Sequence, residues 1–366
     1  MPAKKQSSLF GKIMGLARSV HSIAPFYDPR YPRVLKRAVE LRLRHGFSPD
    51  EALALGLLRP DFPDDTLRNY VSKREMSRIQ KTLNPAAWSA LTQNKGIFYK
   101  YCTALGIPVP RLYAIFFRDT AGYAANGTLL TSPEQWRTFI EEQLPREFVV
   151  KPTSGVYGSG FRCFTRSPDG AFVDQASGNS CDAGGIWGIL RAAGDDFVLQ
   201  ERLRNDPALI ELSHTDSLQT VRVWTCVDRY GESHILQAFL KIIVGKNLTD
   251  NLDSGKSGNL CASVDIANGT LQPAVQYNLD GSGLSPVTHH PRTGMRFQGF
   301  LVPWWDAVCD VAREAARKML PLRVHGWDIA MTPEGPCVVE CNIFSDPTNQ
   351  FGNAGEILGS ISRLSG

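Results

Sequence analysis

Residues 149–161 read Val-Val-Lys-Pro-Thr-Ser-Gly-Val-Tyr-Gly-Ser-Gly-Phe, an apolar run that ends in Lys151 and continues into a loop with three glycines. Glycine lets backbone N–H groups approach phosphate oxygens closely, and a lysine at a strand end adds a positive charge. The segment therefore predicts a phosphate-binding loop between two strands. No Gly-Lys-Ser or Gly-Lys-Thr closes it, which excludes a Walker A loop, and the strand expected at 161–165 excludes a Rossmann fingerprint. Taken alone, the loop is also compatible with a plain hairpin.

Two carboxylates and an amide lie close together near the C-terminus. Asp328 follows Trp327 in one predicted strand, and Glu340 and Asn342 lie in the next strand, after a turn at 333–336. Alternation places Glu340 and Asn342 on one face, and the turn folds their strand beside that of Asp328. Such oxygen ligands suit Mg²⁺. The alternative is a polar strand face turned to solvent, but carboxylates among apolar neighbours need a partner.

A third polar group, Gln200-Glu201-Arg202-Leu203, ends the predicted strand at 197–200. A glutamate in this position can hydrogen-bond an adenine edge while apolar neighbours hold the ring. By itself, such a run is also typical of a solvated strand end.

In this order and separation, the three segments resemble the ATP-grasp superfamily, whose D-alanine–D-alanine ligases share the strand-end lysine, glycine-rich loop, hinge glutamate and terminal Glu-x-Asn. From about residue 65 to about residue 360 the chain is similar, more narrowly, to the sugar-transfer-associated ATP-grasp family. The motifs that carry the narrower resemblance are Asn94-Lys95, Gly106-Ile107-Pro108-Val109-Pro110, Thr220-Val221-Arg222-Val223, Asp250-Asn251, His290-Pro291-Arg292-Thr293-Gly294, Val302-Pro303-Trp304 and Gly326-Trp327-Asp328-Ile329-Ala330. One departure is Lys256, which stands where the family usually has a Gly-Gly pair, and we expect it to alter the substrate side.

The resemblance implies a role for each matching residue. Two lysines would neutralise the α- and β-phosphates of ATP, the loop would close over the γ-phosphate, and Glu201 would contact adenine N6. The implied catalytic residues are Arg222 and Lys151. The implied ATP-binding residues are Lys95, Lys151, Thr153, Ser154, Gly155, Gly158, Ser159, Gly160, Gln200, Glu201, Arg202 and Leu203. The implied ligands of two Mg²⁺ ions are Asp328, Glu340 and Asn342, and the ribose carboxylate is either Asp206 or Glu211.

The order of local patterns predicts an α+β protein. The 366 residues exceed what one core usually supports. Helical spacing dominates the first hundred residues, and short β-branched and aromatic runs alternate with helices after residue 105. We expect a helical, basic N-terminal region over 1–90, the N-terminal part of an ATP-grasp fold with its glycine-rich loop over 91–200, and the C-terminal part with the metal site over 201–366. The two α+β subdomains would clamp ATP.

Several element boundaries follow from capping and turn signals. The expected helices are 7–20, 32–45 ending at Gly46, one capped by Ser48 and Glu51, 64–83, one capped at Ser132, and 304–319. The expected strands are 113–117, 148–151, 161–165, 197–200, an antiparallel pair at 218–228 and 234–244, 325–331 and 337–341.

Charge and cysteine content indicate which partners and which cellular compartment to expect. Lys+Arg number 40 and Asp+Glu 36, a balance too small for a general nucleic-acid binder, although residues 1–100 hold 18 basic and 8 acidic side chains. The eight cysteines form no Cys-x-x-Cys pair and no secretory segment precedes them, which predicts a reduced, cytoplasmic protein. The basic helix at 7–20 is expected to pack on the protein, or to lie peripherally on a membrane surface or a glycosyltransferase.

The expected function is that of an ATP-dependent carboxylate–amine ligase working through an acyl phosphate. Its substrates would be a small-molecule carboxylate and an amine, in surface polysaccharide or related biosynthesis. Two alternatives stay open at this stage: an ATP-grasp kinase that phosphorylates a hydroxyl group, and a nucleotide-binding scaffold of a glycosyltransferase complex.

Overall fold

The computed structural model describes residues 31–155 and 160–366; the helix expected at 7–20 lies outside them. The α-helices are α1 Tyr31–Glu40, α2 Pro49–Ala54, α3 Lys73–Leu83, α4 Ala90–Gln93, α5 Lys95–Ala104, α6 Pro133–Glu142, α7 Ala183–Ala193, α8 Pro207–Ser213, α9 Trp305–Lys318 and α10 Ala354–Ser365. The strands are β1 Leu112–Phe116, β2 Gly122–Ala124, β3 Leu129–Leu130, β4 Glu147–Pro152, β5 Arg162–Arg166, β6 Phe172–Asp174, β7 Ser180–Cys181, β8 Phe197–Glu201, β9 Thr220–Val227, β10 Ser233–Ile242, β11 Leu260–Val264, β12 Leu271–Asn278, β13 Gly283–Val287, β14 Val324–Thr332 and β15 Gly335–Asn342. None of the described helices is both long and apolar enough to cross a bilayer.

The strands form two antiparallel sheets. The first has the order β3-β2-β1-β8-β4-β5-β6-β7, and the second has the order β13-β12-β11-β10-β9-β14-β15. Helices α6 and α7 pack on the first sheet through Trp136, Phe139 and Ile186. Helix α9 packs on the second through Val308 and Ala312. This mixture of helices and antiparallel sheets, with helices at the N-terminal end, confirms the predicted α+β class.

The capping signals in the sequence are confirmed at two helix starts. Ser48 accepts a hydrogen bond from the Glu51 backbone N–H, and the Glu51 side chain accepts one from the Ser48 N–H. Ser132 and Gln135 make the same reciprocal pair at the start of α6. Each satisfies backbone donors that the first helical turn leaves unpaired, which is worth about 1 kcal/mol.

The prediction of a single helix at 64–83 is wrong. The chain forms a 3₁₀ helix at Asp64–Asn69, becomes extended at Tyr70, and starts α3 at Lys73 with Ser72 as its cap. The break has a distant cause, because the backbone of Val71 exchanges two hydrogen bonds, of 2.8 and 2.7 Å, with the side-chain amide of Asn349. These bonds replace the helical ones that Val71 would otherwise make.

The N-terminal helices cover the outer hairpin of the second sheet. Phe47 and Leu57 belong to a buried cluster that packs against Tyr277 of β12 and Leu284 of β13. Gly56 approaches the hairpin so closely that a Cβ there would lie 2.9 Å from a backbone oxygen of the β12–β13 turn. Residues 31–62 are therefore joined to the C-terminal sheet, whereas the division at 90/91 stays a prediction.

Candidate active site

A cavity of about 460 Å³ is lined by residues from both sheets. Lys151 and Glu201 reach it from the first sheet, and Lys241, Asp328 and Glu340 reach it from the second. Its volume is that of a typical small-molecule site. The predicted residues that line it are Lys95, Lys151, Gly155, Gln200, Glu201, Arg202, Leu203, Asp328 and Glu340.

Two lysines stand on one side of the cavity. Lys95 is the first residue of α5, whose cap Asn94 accepts a hydrogen bond from the Ile97 N–H, and its Nζ lies 3.2 Å from the Gly155 carbonyl oxygen. Burial lowers the pKa of Lys151 to about 8, with the Lys95 ammonium acting in the same direction and the Glu340 carboxylate opposing it. An anion bound between the two ammonium groups would stabilise the charged form of Lys151 and raise its pKa.

Residues of the glycine-rich loop line two different cavities. The Thr153 N–H donates to the Asp196 carbonyl oxygen at 2.7 Å, and Thr153 and Ser154 line a second cavity of about 360 Å³ rather than the first. Gly160 has a φ of +74°, and a Cβ there would lie 2.7 Å from the Pro152 ring, so only glycine fits. The predicted Gly158 and Ser159 lie outside the described residues.

A buried network of four charges borders the cavity through Lys241, Asp250 and Asp328. The Nε and Nη2 atoms of Arg222 donate to the two oxygens of Asp328 at 2.6 and 2.8 Å. The Nζ of Lys241 lies 3.3 Å from Asp328 Oδ1 and 3.1 Å from Asp250 Oδ1. Burial opposes ionisation of Asp328, but Arg222 and Lys241 hold its pKa below the usual value. Two cations and two carboxylates thus balance in charge. Arg222 does not line the cavity.

Lys241 is the member of this network to which sequence reasoning gave no role. Its side chain is only 8% exposed and contacts both carboxylates. Asp250, in turn, accepts hydrogen bonds from the backbone N–H and the hydroxyl of Thr220, at 2.9 and 2.6 Å. The available signal was that a lysine interrupts the apolar run at 235–244, because a lysine buried in a strand requires a partner.

A β-bulge determines how Glu340 meets the cavity. Asp328 pairs with Glu340, but the next residue, Ile329, pairs with Val338, so Val339 is an extra residue in β15. The carbonyl oxygen of Val339 accepts a hydrogen bond of 2.8 Å from the Tyr99 hydroxyl. As a result Val339 and Glu340 both line the cavity, although they are adjacent in one strand.

The predicted metal ligands lie at neighbouring register positions. Asp328 is opposite Glu340, and Asn342 is opposite Gly326 and does not line the cavity. Residues 31–155 and 160–366 contain no group of three His, Cys, Asp or Glu side chains placed to hold a metal. Two carboxylates and an amide still fit Mg²⁺, which keeps waters and takes phosphate oxygens as further ligands. An ion bound there would share Asp328 with Arg222 and Lys241.

The hinge residues present polar groups to the cavity. Glu201 and Arg111 exchange two hydrogen bonds: the Glu201 N–H donates to the Arg111 carbonyl oxygen at 2.9 Å, and Glu201 Oε2 accepts from the Arg111 N–H at 3.0 Å. Gln200 is 1% exposed, and its Oε1 is buried without a hydrogen-bond partner among the described residues. The guanidinium of Arg202 pairs with Glu147 at 3.0 Å.

The two candidate ribose carboxylates are placed elsewhere. Asp206 caps α8 by accepting the Ala208 N–H at 2.9 Å, and it accepts the indole N–H of Trp304 at 3.2 Å. Glu211 is exposed on α8, and neither carboxylate lines the cavity. Asp216, which follows α8 and which sequence reasoning missed, does line it. Lys256, the departure from the family pattern, does not.

Comparison with known proteins adds a family match. The sequence model of the sugar-transfer associated ATP-grasp family matches residues 74–358. No curated protein matches the chain. Among solved structures, a D-cycloserine synthetase is 15% identical with a TM-score of 0.41, covering 80% of this chain and 78% of that one. D-alanyl-alanine synthetase A from Vibrio cholerae is 12% identical with a TM-score of 0.42, covering 76% and 66%. Biotin carboxylase from Campylobacter jejuni is 11% identical with a TM-score of 0.43, covering 82% and 53%.

Proposed function

Because the chain belongs to the sugar-transfer associated ATP-grasp family, we propose that it is an ATP-dependent carboxylate–amine ligase that works through an acyl phosphate. One observation carries the proposal: two lysines and two carboxylates, Lys95, Lys151, Asp328 and Glu340, meet around one cavity of about 460 Å³. ATP-grasp enzymes generally use ATP and Mg²⁺, and this combination of cations and oxygen ligands suits a nucleotide triphosphate with its metal.

The nucleotide is assigned along the cavity from the hinge to the lysines. The Glu201 carboxylate would accept a hydrogen bond from adenine N6, with the backbone of Arg202 and Leu203 beside the ring. We assign the ribose hydroxyls to Asp216. The ammonium groups of Lys95 and Lys151 then neutralise the phosphates, and a neighbouring anion raises the fraction of Lys151 that is charged at neutral pH.

Asp328, Glu340 and Asn342 would hold the magnesium. When bound, Mg²⁺ supplies positive charge that withdraws electrons from the phosphate oxygens. Arg222 and Lys241 keep Asp328 ionised and fix its orientation through their hydrogen bonds. We assign Arg222 to positioning Asp328, because its guanidinium is engaged there and does not line the cavity.

In the proposed reaction, a carboxylate oxygen of the substrate attacks the γ-phosphorus and ADP leaves. The amine nitrogen then attacks the acyl carbon, phosphate leaves, and the amine loses a proton to give the amide. Negative charge develops in both steps, and Lys95 and Lys151 are placed to stabilise it. Removing one such donor typically lowers the rate about a hundredfold or more.

Hydroxamate formation tests the proposal. The protein is incubated with MgATP, hydroxylamine and pools of uronic, amino and hydroxy acids, because hydroxylamine traps an acyl phosphate without the natural amine. We expect hydroxamate and ADP in equal amounts. Glu340→Gln should abolish both, whereas Glu334→Gln, in the exposed β14–β15 turn, is the matched control and should retain them.

Other outcomes would support the alternatives. A phosphoester formed from a hydroxy acid, with no hydroxamate in any pool, would contradict the ligase and favour the kinase. Nucleotide binding without turnover, unchanged by Glu340→Gln, would favour the scaffold. The finer proposal, a role in surface polysaccharide biosynthesis, is supported by the family's association with sugar transfer, and identification of a sugar-derived acid in the assay would test it.

A further inference from the structure

Two of the cations that line the cavity have no ion-pair partner among the described residues. Arg292 and Lys246 both line the cavity, and neither forms an ion pair with a carboxylate within the part of the chain that the structure describes. The nearby Asp250 is engaged by Lys241 and Thr220. Both side chains are exposed, and neither is engaged by a carboxylate as the buried cations at Asp328 are.

A buried histidine holds the loop that presents Arg292. His290 is only 1% exposed. Its Nδ1 accepts the backbone N–H groups of Arg292 and Thr293, each at 3.3 Å, and its Nε2 therefore carries the proton and donates to the Ile243 carbonyl oxygen at 3.1 Å. Thr293 donates its hydroxyl to the Leu212 carbonyl oxygen at 2.8 Å. The loop is thus fixed to the residue that follows β10 and to α8.

One hydrogen bond orients the guanidinium of Arg292. Nη1 donates to the Gly245 carbonyl oxygen at 2.9 Å, and Nε and Nη2 form no hydrogen bond within residues 31–155 and 160–366. Nε and Nη2 are the edge with which Arg222 binds both oxygens of Asp328. The same edge of Arg292 is available to an oxyanion, for which its paired N–H groups are matched.

The contacts of Arg292 differ from those of the cations at the metal ligands. Its guanidinium hydrogen-bonds to Gly245, beyond the end of β10, and forms no ion pair with Asp328 or Asp250 within the described residues. Asp328 already has Arg222 and Lys241 as partners.

We propose that Arg292 and Lys246 bind an oxyanion of the acid substrate, a carboxylate or a phosphate other than the group that reacts. The inference rests on the proposed function and specifies its substrate class: an acid with a second anionic group. Arg292 supplies the paired donors that orient the substrate, and Lys246 adds charge without directional preference.

Anion binding to the full chain tests this directly. The protein is saturated with magnesium AMP-PNP, so that the phosphate sites are filled, and inorganic phosphate or succinate is titrated in a calorimeter. We expect at least about tenfold weaker anion binding in Arg292→Gln. Arg292→Lys should be intermediate, because it keeps the charge and loses the paired donors. Arg296→Gln is the matched control and should be unchanged, because Arg296 is exposed and its guanidinium hydrogen-bonds to Gln298.

The titrations identify the anionic group or overturn the proposal. Tighter binding of phosphate identifies a phosphorylated substrate, and tighter binding of succinate identifies a dicarboxylate. The proposal is overturned if neither anion binds the wild-type protein, if Arg292→Gln binds anions as well as the wild type does, or if it loses AMP-PNP affinity in parallel, which would assign Arg292 to the nucleotide. Failure of the hydroxamate assay with anion binding intact would remove the ligase and leave this site.

Discussion

Replacing His325 by phenylalanine is expected to remove part of the acid sensitivity of the fold. His325 is fully buried in β14, where its ring stacks on Trp327 with the centroids 5.0 Å apart. Its Nδ1 lies 3.4 Å from the Thr225 hydroxyl, and its Nε2 has no partner among the described residues. Burial lowers the pKa of His325 to about 3. The folded protein therefore keeps this ring neutral at pH values where the unfolded chain protonates it.

The magnitude follows from the two pKa values. An unfolded histidine has a pKa of about 6.5. Because the folded pKa is the lower one, the contribution is fully present above about pH 6.5 and is lost as the pH falls toward about 3. Between pH 7.5 and pH 5.0, this one group should reduce the free energy of unfolding by about 2 kcal/mol.

Urea unfolding at pH 7.5 and pH 5.0 measures the effect. The loss of stability between the two pH values should be about 2 kcal/mol smaller in His325→Phe than in the wild type, whatever the substitution costs at pH 7.5. His289→Gln, at an exposed histidine, is the control and should keep the wild-type difference. An equal loss in His325→Phe and wild type would refute the reasoning, because it would mean that the ring is protonated in the folded state or reached by water.

Three further predictions concern stability. Lys241→Met should lower the free energy of unfolding by about 3–5 kcal/mol, because it leaves the buried Asp250 without its lysine partner and removes one of the two cations that contact Asp328. An unchanged melting temperature would contradict the network. Gly269→Ala should destabilise more than Gly170→Ala, since both have a positive φ but a methyl group at Gly269 would lie 2.4 Å from an indole carbon; equal melting temperatures would show that the indole moves aside. Deletion of residues 1–63 should lower the melting temperature well below that of a deletion ending at residue 30, because it uncovers the β12–β13 hairpin; identical melting curves would contradict that packing.

The strands and caps were predictable because their signals are local. Alternating runs located β4, β8, β14 and β15 to within a few residues, and serine caps located helix starts. The break at Val71 was not predictable, since its partner Asn349 is 278 residues away. A local pattern contains no information about such a bond.

The candidate site shows the same division. Lys95, Lys151 and Glu340, which the resemblance named, line one cavity, and their roles stay a prediction. Lys241 and Asp216 reach the cavity because of which strands pair and where a loop returns. A local sequence pattern does not specify either of these. The bulge at Val339 likewise appears only once β14 and β15 are aligned.

The packing of the N-terminal helices on the β12–β13 hairpin affects synthesis of the chain. Arg59 hydrogen-bonds to the carbonyl oxygen of Ser282, a residue 223 positions later. At ribosomal rates of about 5–20 residues per second, roughly 10–40 s pass between synthesis of the apolar faces around Phe47 and Leu57 and synthesis of the strands that cover them. During translation these faces are exposed apolar surface of the kind that chaperones bind, so the first helices of the chain complete their packing only when its last third has been made.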